Sequence, residues 1–181
     1  ECKFIDLKKK IKILNFCEKN SIDLVIIGPE EYLADGLSDY LQDKGIKTFG
    51  PVKKAAKLET SKSFAKSFLL KNKILTPKYR KFTASNKALN YLNSINFPIV
   101  IKADGLAAGK GVVICKNFNE AEQTIKLIME KKKFGDAGKK IIIEEFIDGF
   151  EISYFSFFDK KKFLPLGYAL DHKRAFDNDH G

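Results

Sequence analysis

The sequence predicts a mixed α/β and α+β chain: the C-terminal part of a parallel α/β domain, then a small sheet clad by helices. Three observations lead there. Residues 1–50 alternate amphipathic helical patterns with short apolar strands. Residues 77–146 alternate short strands with helices that carry a single apolar stripe. Between two β-branched apolar runs lies "KADGLAAGKG" at 102–111, a loop with three glycines and two lysines.

In chain order, Asp6 is placed to cap a helix with Leu7, Ile11, Leu14 and Cys17 on one face. "IDLVIIGPE" reads as a buried strand ending in a sharp loop at Gly28 and Pro29. Leu33, Leu37, Tyr40 and Leu41 mark a second helix stopped by Gly45, and "IKTF" a short strand ended by "GP". Helix, strand, helix, strand is half of a parallel α/β unit, whose ligands are expected at the carboxyl ends of the strands, where Gly28–Glu30 sits. Residues 50–60 read as a connecting segment, followed by a helix with Phe64, Phe68 and Leu69. Then come strand "KYRKF", a helix over 85–95, strands "IVIK" and "GVVIC", a helix over 119–132 and strand "KIIIEEF". "EISYFSFF", a lysine-rich turn at 160–162 and "FLPLGYAL" predict an antiparallel hairpin that starts another layer. The boundaries are thus 1–60 for the first domain and its linker, and 61–181 for the second, with a subdomain at about 77–146.

Composition narrows the function classes. The 44% apolar content supplies a core, and no run reaches the roughly 20 apolar residues of a membrane span. Residues 1–25 lack a signal-peptide pattern, so the expected location is cytoplasmic with no membrane partner. Cys2, Cys17 and Cys115 have no metal-ligand spacing, and Cys115 reads as a small core residue. The net charge of +10 raises nucleic-acid binding, but only Arg80 and Arg174 among 33 basic residues are arginine. The lysines are scattered along helix faces and turns, so no nucleic-acid partner is expected. The chain starts at Glu1 and ends in the polar "DHKRAFDNDHG", which reads as an internal piece of a longer protein.

The loop at 102–111 admits three readings. A P-loop requires glycine five residues before Gly109 and Ser or Thr after Lys110, where the sequence has Asp104 and Gly111. A dinucleotide fingerprint requires a following helix, and "VVIC" is a strand pattern. What remains is strand, loop, strand, with glycines letting backbone N–H groups fold over phosphate oxygens and Lys102 as a fixed charge. Taken alone, so short a motif is better explained by an ordinary glycine-bearing turn with solvated lysines. Two further segments bear on the choice. "IIIEEFIDGFE" at 141–151 could form a hinge wall, with backbone groups of Phe146 and Ile147 on an adenine edge, Glu145 accepting from the exocyclic amine and Glu151 taking ribose hydroxyls. "ETSKSFAK" places Lys62 on the first turn of a helix. Each alone reads as solvated surface.

Together and in order, "VIIGPE", "FGP", "LETSKSFAK", "IVIKADGLAAGKGV", "FGDAG", "IIEEFIDG" and "DHKR" resemble the ATP-grasp ligases, and within them the glycinamide ribonucleotide synthetase (phosphoribosylamine–glycine ligase) family. The resemblance implies a partial ATP-grasp fold at 61–181, with the lid subdomain at 77–146, behind an N-terminal substrate domain. It implies transfer of the ATP γ-phosphoryl to glycine, followed by attack of 5-phosphoribosylamine on the glycyl phosphate, in purine biosynthesis.

By the same resemblance Lys62, Lys102, Gly105, Gly109, Lys110 and Gly111 hold the ATP phosphates, and Glu144, Glu145, Phe146, Ile147 and Glu151 hold the nucleoside. Gly28, Pro29, Glu30, Asp171, His172 and Lys173 border the substrates, with Lys102 and Lys173 closest to the chemistry. Magnesium or manganese is expected in the full-length protein on ligands outside these residues, so no metal ligand is assigned and the piece by itself is expected not to turn over. The alternatives are another ATP-grasp carboxylate–amine ligase, or a nucleotide-binding module without turnover.

Overall fold

The computed structural model describes residues 2–107, 109–159 and 161–171. They fall into two compact units, 1–146 and 147–181.

The first unit opens with α1 (Lys10–Lys19), whose Ile13, Leu14 and Cys17 are buried. Asp6 does not cap this helix, since Lys9 occupies the N-cap; the Asp6 carboxylate instead accepts from the Lys8 N–H at 3.2 Å in a local turn. Strands β1 (Val25–Ile26) and β2 (Thr48–Phe49) pair in parallel, as the alternating pattern predicts. The single helix expected over 33–45 is two, α2 (Glu30–Ala34) and α3 (Leu37–Asp43). Gly36 between them has φ 83°, a left-handed conformation that ends one helix and re-aims the next. Leu33, Leu37 and Leu41 close the core over Ile13, Leu14 and Ile27.

Residues 50–60 are not a mere connection: α4 spans Lys53–Thr60. Its first turn is held by the Asp39 carboxylate, which accepts from the Lys53 N–H at 2.7 Å. That cap comes from fourteen positions earlier in the chain, so no local signal announces it. Helix α5 (Lys62–Lys71) follows directly.

A four-stranded antiparallel sheet comes next, in the order β3 (Tyr79–Phe82), β6 (Ile141–Glu145), β4 (Ile99–Ala103), β5 (Val112–Cys115). Helices α6 (Ser85–Leu92) and α7 (Phe118–Ile125), the latter continued by a π-helical turn at Lys126–Glu130, cover one face. The helix expected to run to 95 ends at Leu92. Strand alternation assigns the faces: Ile99, Ile101, Ala103, Ile141 and Ile143 pack on Ala88, Leu92, Ala121, Ile125 and Ile128, with Cys115 buried among them. Each isoleucine so buried is worth about 1.5–3 kcal/mol. Val100, Lys102, Ile142 and Glu144 point to the other face.

The second unit contains β7 (Ile152–Phe158) and β8 (Phe163–Leu170), the antiparallel hairpin that the sequence predicts, with an irregularity between Phe155 and Ser156. No described helix is long and apolar enough to cross a membrane.

Candidate active site

The site is built where the start of α5 meets the end of β4. Ser61 is the N-cap of α5, and its Oγ accepts from the Phe64 N–H at 3.3 Å. Asp104, the residue after β4, reaches to the same helix end. Its carboxylate accepts from the Ser63 N–H at 2.6 Å and the Ser63 hydroxyl at 3.0 Å, and Ser61 Oγ lies 3.3 Å away. The Lys62 N–H donates to the Asp104 carbonyl at 3.0 Å. An acidic group at a helix N-terminus satisfies orphan N–H donors and meets the positive end of the helix dipole. The effect is to lock the two lysine-bearing segments together. Lys62 Nζ donates to the Gly105 carbonyl at 3.2 Å, and burial pushes its ammonium below the usual lysine range, against the pull of Asp104.

Lys102 stands on the face of β4 turned away from α6 and α7, opposite Val112 on one side and Ile142 on the other. Its Nζ lies 2.9 Å from Glu144 Oε2, while Lys66 Nζ lies 3.2 Å from Glu144 Oε1. The Glu144 side chain is 2% exposed and that of Lys66 10%, against 27% for Lys102. Two cations therefore share one buried carboxylate, and the cluster carries one net positive charge at its more open end. Lys66 also donates to Thr76 Oγ1 at 2.8 Å and to the Pro77 carbonyl at 3.4 Å, and burial drives its ammonium down from the ordinary lysine value.

Sequence patterning does not single out Lys66. The expected apolar stripe of α5 is not its buried face, because Phe64 and Phe68 are exposed and Leu69 only half-buried while Lys66 is the buried residue of the helix. The available signal is its position four residues after Lys62, which puts both lysines on one helix face.

The glycine-rich loop spans residues 104–111 between antiparallel strands, a hairpin rather than a strand–helix turn. Its root is pinned to a 3₁₀ turn at Gly135–Gly138: the Gly105 N–H donates to the Ala137 carbonyl at 3.2 Å, and the Asp104 N–H to the Lys140 carbonyl at 3.0 Å. A Cβ at Gly105 would lie 2.9 Å from Ala137, and one at Gly111 2.6 Å from the Ala107 methyl. Gly109 adopts φ 75° in the open part of the loop beside exposed Lys110.

The remaining expected site residues are placed as follows. Glu145 shares the helix-covered face with Ile143, and its Oε1 accepts from the Lys78 N–H at 2.8 Å. Of the adjacent glutamates, Glu144 is the one on the Lys102 face, and Glu145 stands on the other. Phe146 follows at the strand end, half-buried. Ile147, Glu151 and Asp171 belong to the second unit, where the Asp171 N–H donates to the Glu151 carbonyl at 2.9 Å. Gly28, Pro29 and Glu30 are exposed at the carboxyl end of β1, with Pro29 preceding α2. His172 and Lys173 lie outside the described residues. Among the described residues no group of three His, Cys, Asp or Glu side chains is placed to hold a metal ion.

Comparison with known proteins decides the family. Residues 60–181 match the phosphoribosylglycinamide synthetase ATP-grasp (A) domain, and residues 1–59 match the N domain of the same synthetase. The chain belongs to the phosphoribosylglycinamide synthetase family. Over 181 residues it is 46% identical to a phosphoribosylamine–glycine ligase of Clostridium acetobutylicum, covering 100% of this chain and 44% of that protein. The corresponding ligase of Fusobacterium nucleatum is 48% identical over 180 residues, 99% of this chain and 42% of the relative. The chain thus spans less than half the length of these curated relatives.

The crystal structure of the Thermotoga maritima phosphoribosylamine–glycine ligase superposes with a TM-score of 0.70 at 34% identity, over 86% of this chain and 38% of that one. A D-alanine–D-alanine ligase of Bacillus anthracis complexed with ATP shares the fold at a TM-score of 0.69 and 24% identity, over 99% of this chain and 57% of that one. The lysine-bearing helix start, the glycine loop and the Glu144–Phe146 strand end therefore lie within the ATP-grasp segment of a phosphoribosylglycinamide synthetase.

Proposed function

We propose that the whole protein ligates glycine to 5-phosphoribosylamine at the expense of ATP, releasing glycinamide ribonucleotide, ADP and phosphate. The observation that carries the reading is the pairing of Lys62 and Lys102 at one site through Asp104, with the glycine loop rooted beside them. In-line phosphoryl transfer asks a protein for positioning and charge neutralisation, with little covalent participation. Lys62 and Lys102 supply fixed positive charge for triphosphate oxygens, and the 105–111 backbone supplies N–H donors that close over them. The donor set fits a polyphosphate: two ammonium groups, a net positive cluster and a hairpin loop bearing Gly105, Gly109 and Gly111.

The residues proposed for the nucleoside are Glu144, Glu145, Phe146, Ile147 and Glu151. Gly28, Pro29 and Glu30 are proposed for phosphoribosylamine, and Asp171, His172 and Lys173 for the substrates. Magnesium or manganese on ligands outside these residues belongs to the same proposal and would supply charge neutralisation to the phosphates, and a cytoplasmic location with small-molecule partners only completes it.

The test uses the full-length protein with glycine labelled with ¹⁸O in the carboxylate. Transfer of one ¹⁸O to released phosphate, together with formation of glycinamide ribonucleotide, is expected from a glycyl phosphate. ATP-dependent ligation of a different acid, or phosphate free of label, would overturn the reading.

A further inference from the structure

Lys66 has no task in the chemistry above, yet it is a buried charge held by two hydrogen bonds and an ion pair. Its ammonium donates to Thr76 Oγ1 at 2.8 Å and to the Pro77 carbonyl at 3.4 Å, and it lies 3.2 Å from Glu144 Oε1, a buried oxygen with no hydrogen-bond partner among the described residues. A lysine so tied cannot swing out to a ligand, and its side chain is 10% exposed. Its partner Glu144 is already neutralised by Lys102 at 2.9 Å. One lysine would balance that carboxylate, and burying a second is costly, so an apolar residue would serve stability better. The surplus charge has a use only where an anion arrives.

We propose that Lys66 is a positioning residue that sets the charge Lys102 presents to phosphate, by sharing the Glu144 carboxylate between two ammonium groups. With Lys66 present, half of Glu144 is occupied from behind and the cluster stays at net +1. Without it, Glu144 and Lys102 form a closed neutral pair, and phosphate must compete with the carboxylate for the Lys102 hydrogens. The inference rests on Lys102 being a phosphate contact.

The experiment measures calorimetric Kd values for ATP and for adenosine on the full-length protein, and reads their ratio as phosphate preference. Lys66→Met is expected to weaken ATP by on the order of tenfold, the worth of one charge-assisted hydrogen bond, with adenosine unchanged. Lys66→Met/Glu144→Gln is expected to recover most of the lost preference, because Lys102 then faces no carboxylate. Equal weakening of ATP and adenosine by Lys66→Met would mean a packing role and overturn the inference. So would unchanged ATP binding, or a double variant as weak as the single one. Should Lys66→Met fail to fold, Glu144→Gln decides: its phosphate preference is expected to match or exceed that of the parent, and a fall overturns the inference. Lys102→Met separates the two levels. If it leaves ATP binding intact, the phosphate role of Lys102 falls and this inference with it; if it weakens ATP while Lys66→Met does not, only this inference falls.

Discussion

Ile101 and Lys102 are neighbours on β4, yet they stand on opposite faces of the small sheet. Ile101 is fully buried against α6 and α7 with Ile143 and Ile125, in an apolar cluster. Lys102 belongs to the opposite face, where Glu144 and Lys66 of α5 form a buried ionic cluster and Asp104 ties the sheet end to α5. The comparison teaches that stability and ligand chemistry are separated by the two-residue period of the strand. One face gains from removing apolar surface from water; the other holds charges in an arrangement that costs stability and offers electrostatic contacts to an anion.

The separation can be broken or sharpened by substitution. Lys102→Met in the full-length protein is expected to lower kcat by about two to three orders of magnitude. Because Glu144 loses one of two partners, the same variant should also lose about 2 kcal/mol in urea unfolding. Stability wholly unaffected would show that the Glu144 pair contributes nothing to folding. On the covered face, Ile143→Ala is expected to cost about 2–5 kcal/mol while kcat per folded molecule stays within about twofold. A loss of turnover without loss of stability there would dissolve the distinction between faces. At the loop root, Gly105→Ala must push against Ala137 backbone at 2.9 Å, so about 1–3 kcal/mol of stability should go, with a moderate rise in KM for ATP. An unchanged KM would separate the loop root from the nucleotide.

Much of this was legible in the sequence. The apolar runs "IVIK" and "IIIEE" mark strands, and the failure of 102–111 to match a helix-anchored phosphate loop leaves the observed hairpin. What was hidden depended on contacts distant in sequence. Helix α4 has its cap on Asp39, and the break at Gly36 needs a left-handed turn that an amphipathic pattern passes over. Lys66 looks like any solvated lysine because its partners, Thr76, Pro77 and Glu144, lie ten or more residues away. Glu144 and Glu145 are indistinguishable as letters, and only strand register assigns one to each face. Asp104 read as a missing glycine, while in the fold it is the clamp that joins the two lysine segments.

The measurement closest to the central claim is made on Lys62, which touches the site through one carbonyl contact and is desolvated with no salt bridge among the described residues. Lys62→Met removes a charge that burial disfavours, so unfolding free energy should be unchanged or slightly higher, while kcat/KM for ATP falls at least about a hundredfold. Undiminished kcat/KM for ATP in a folded Lys62→Met protein would contradict the assignment of this face to the triphosphate.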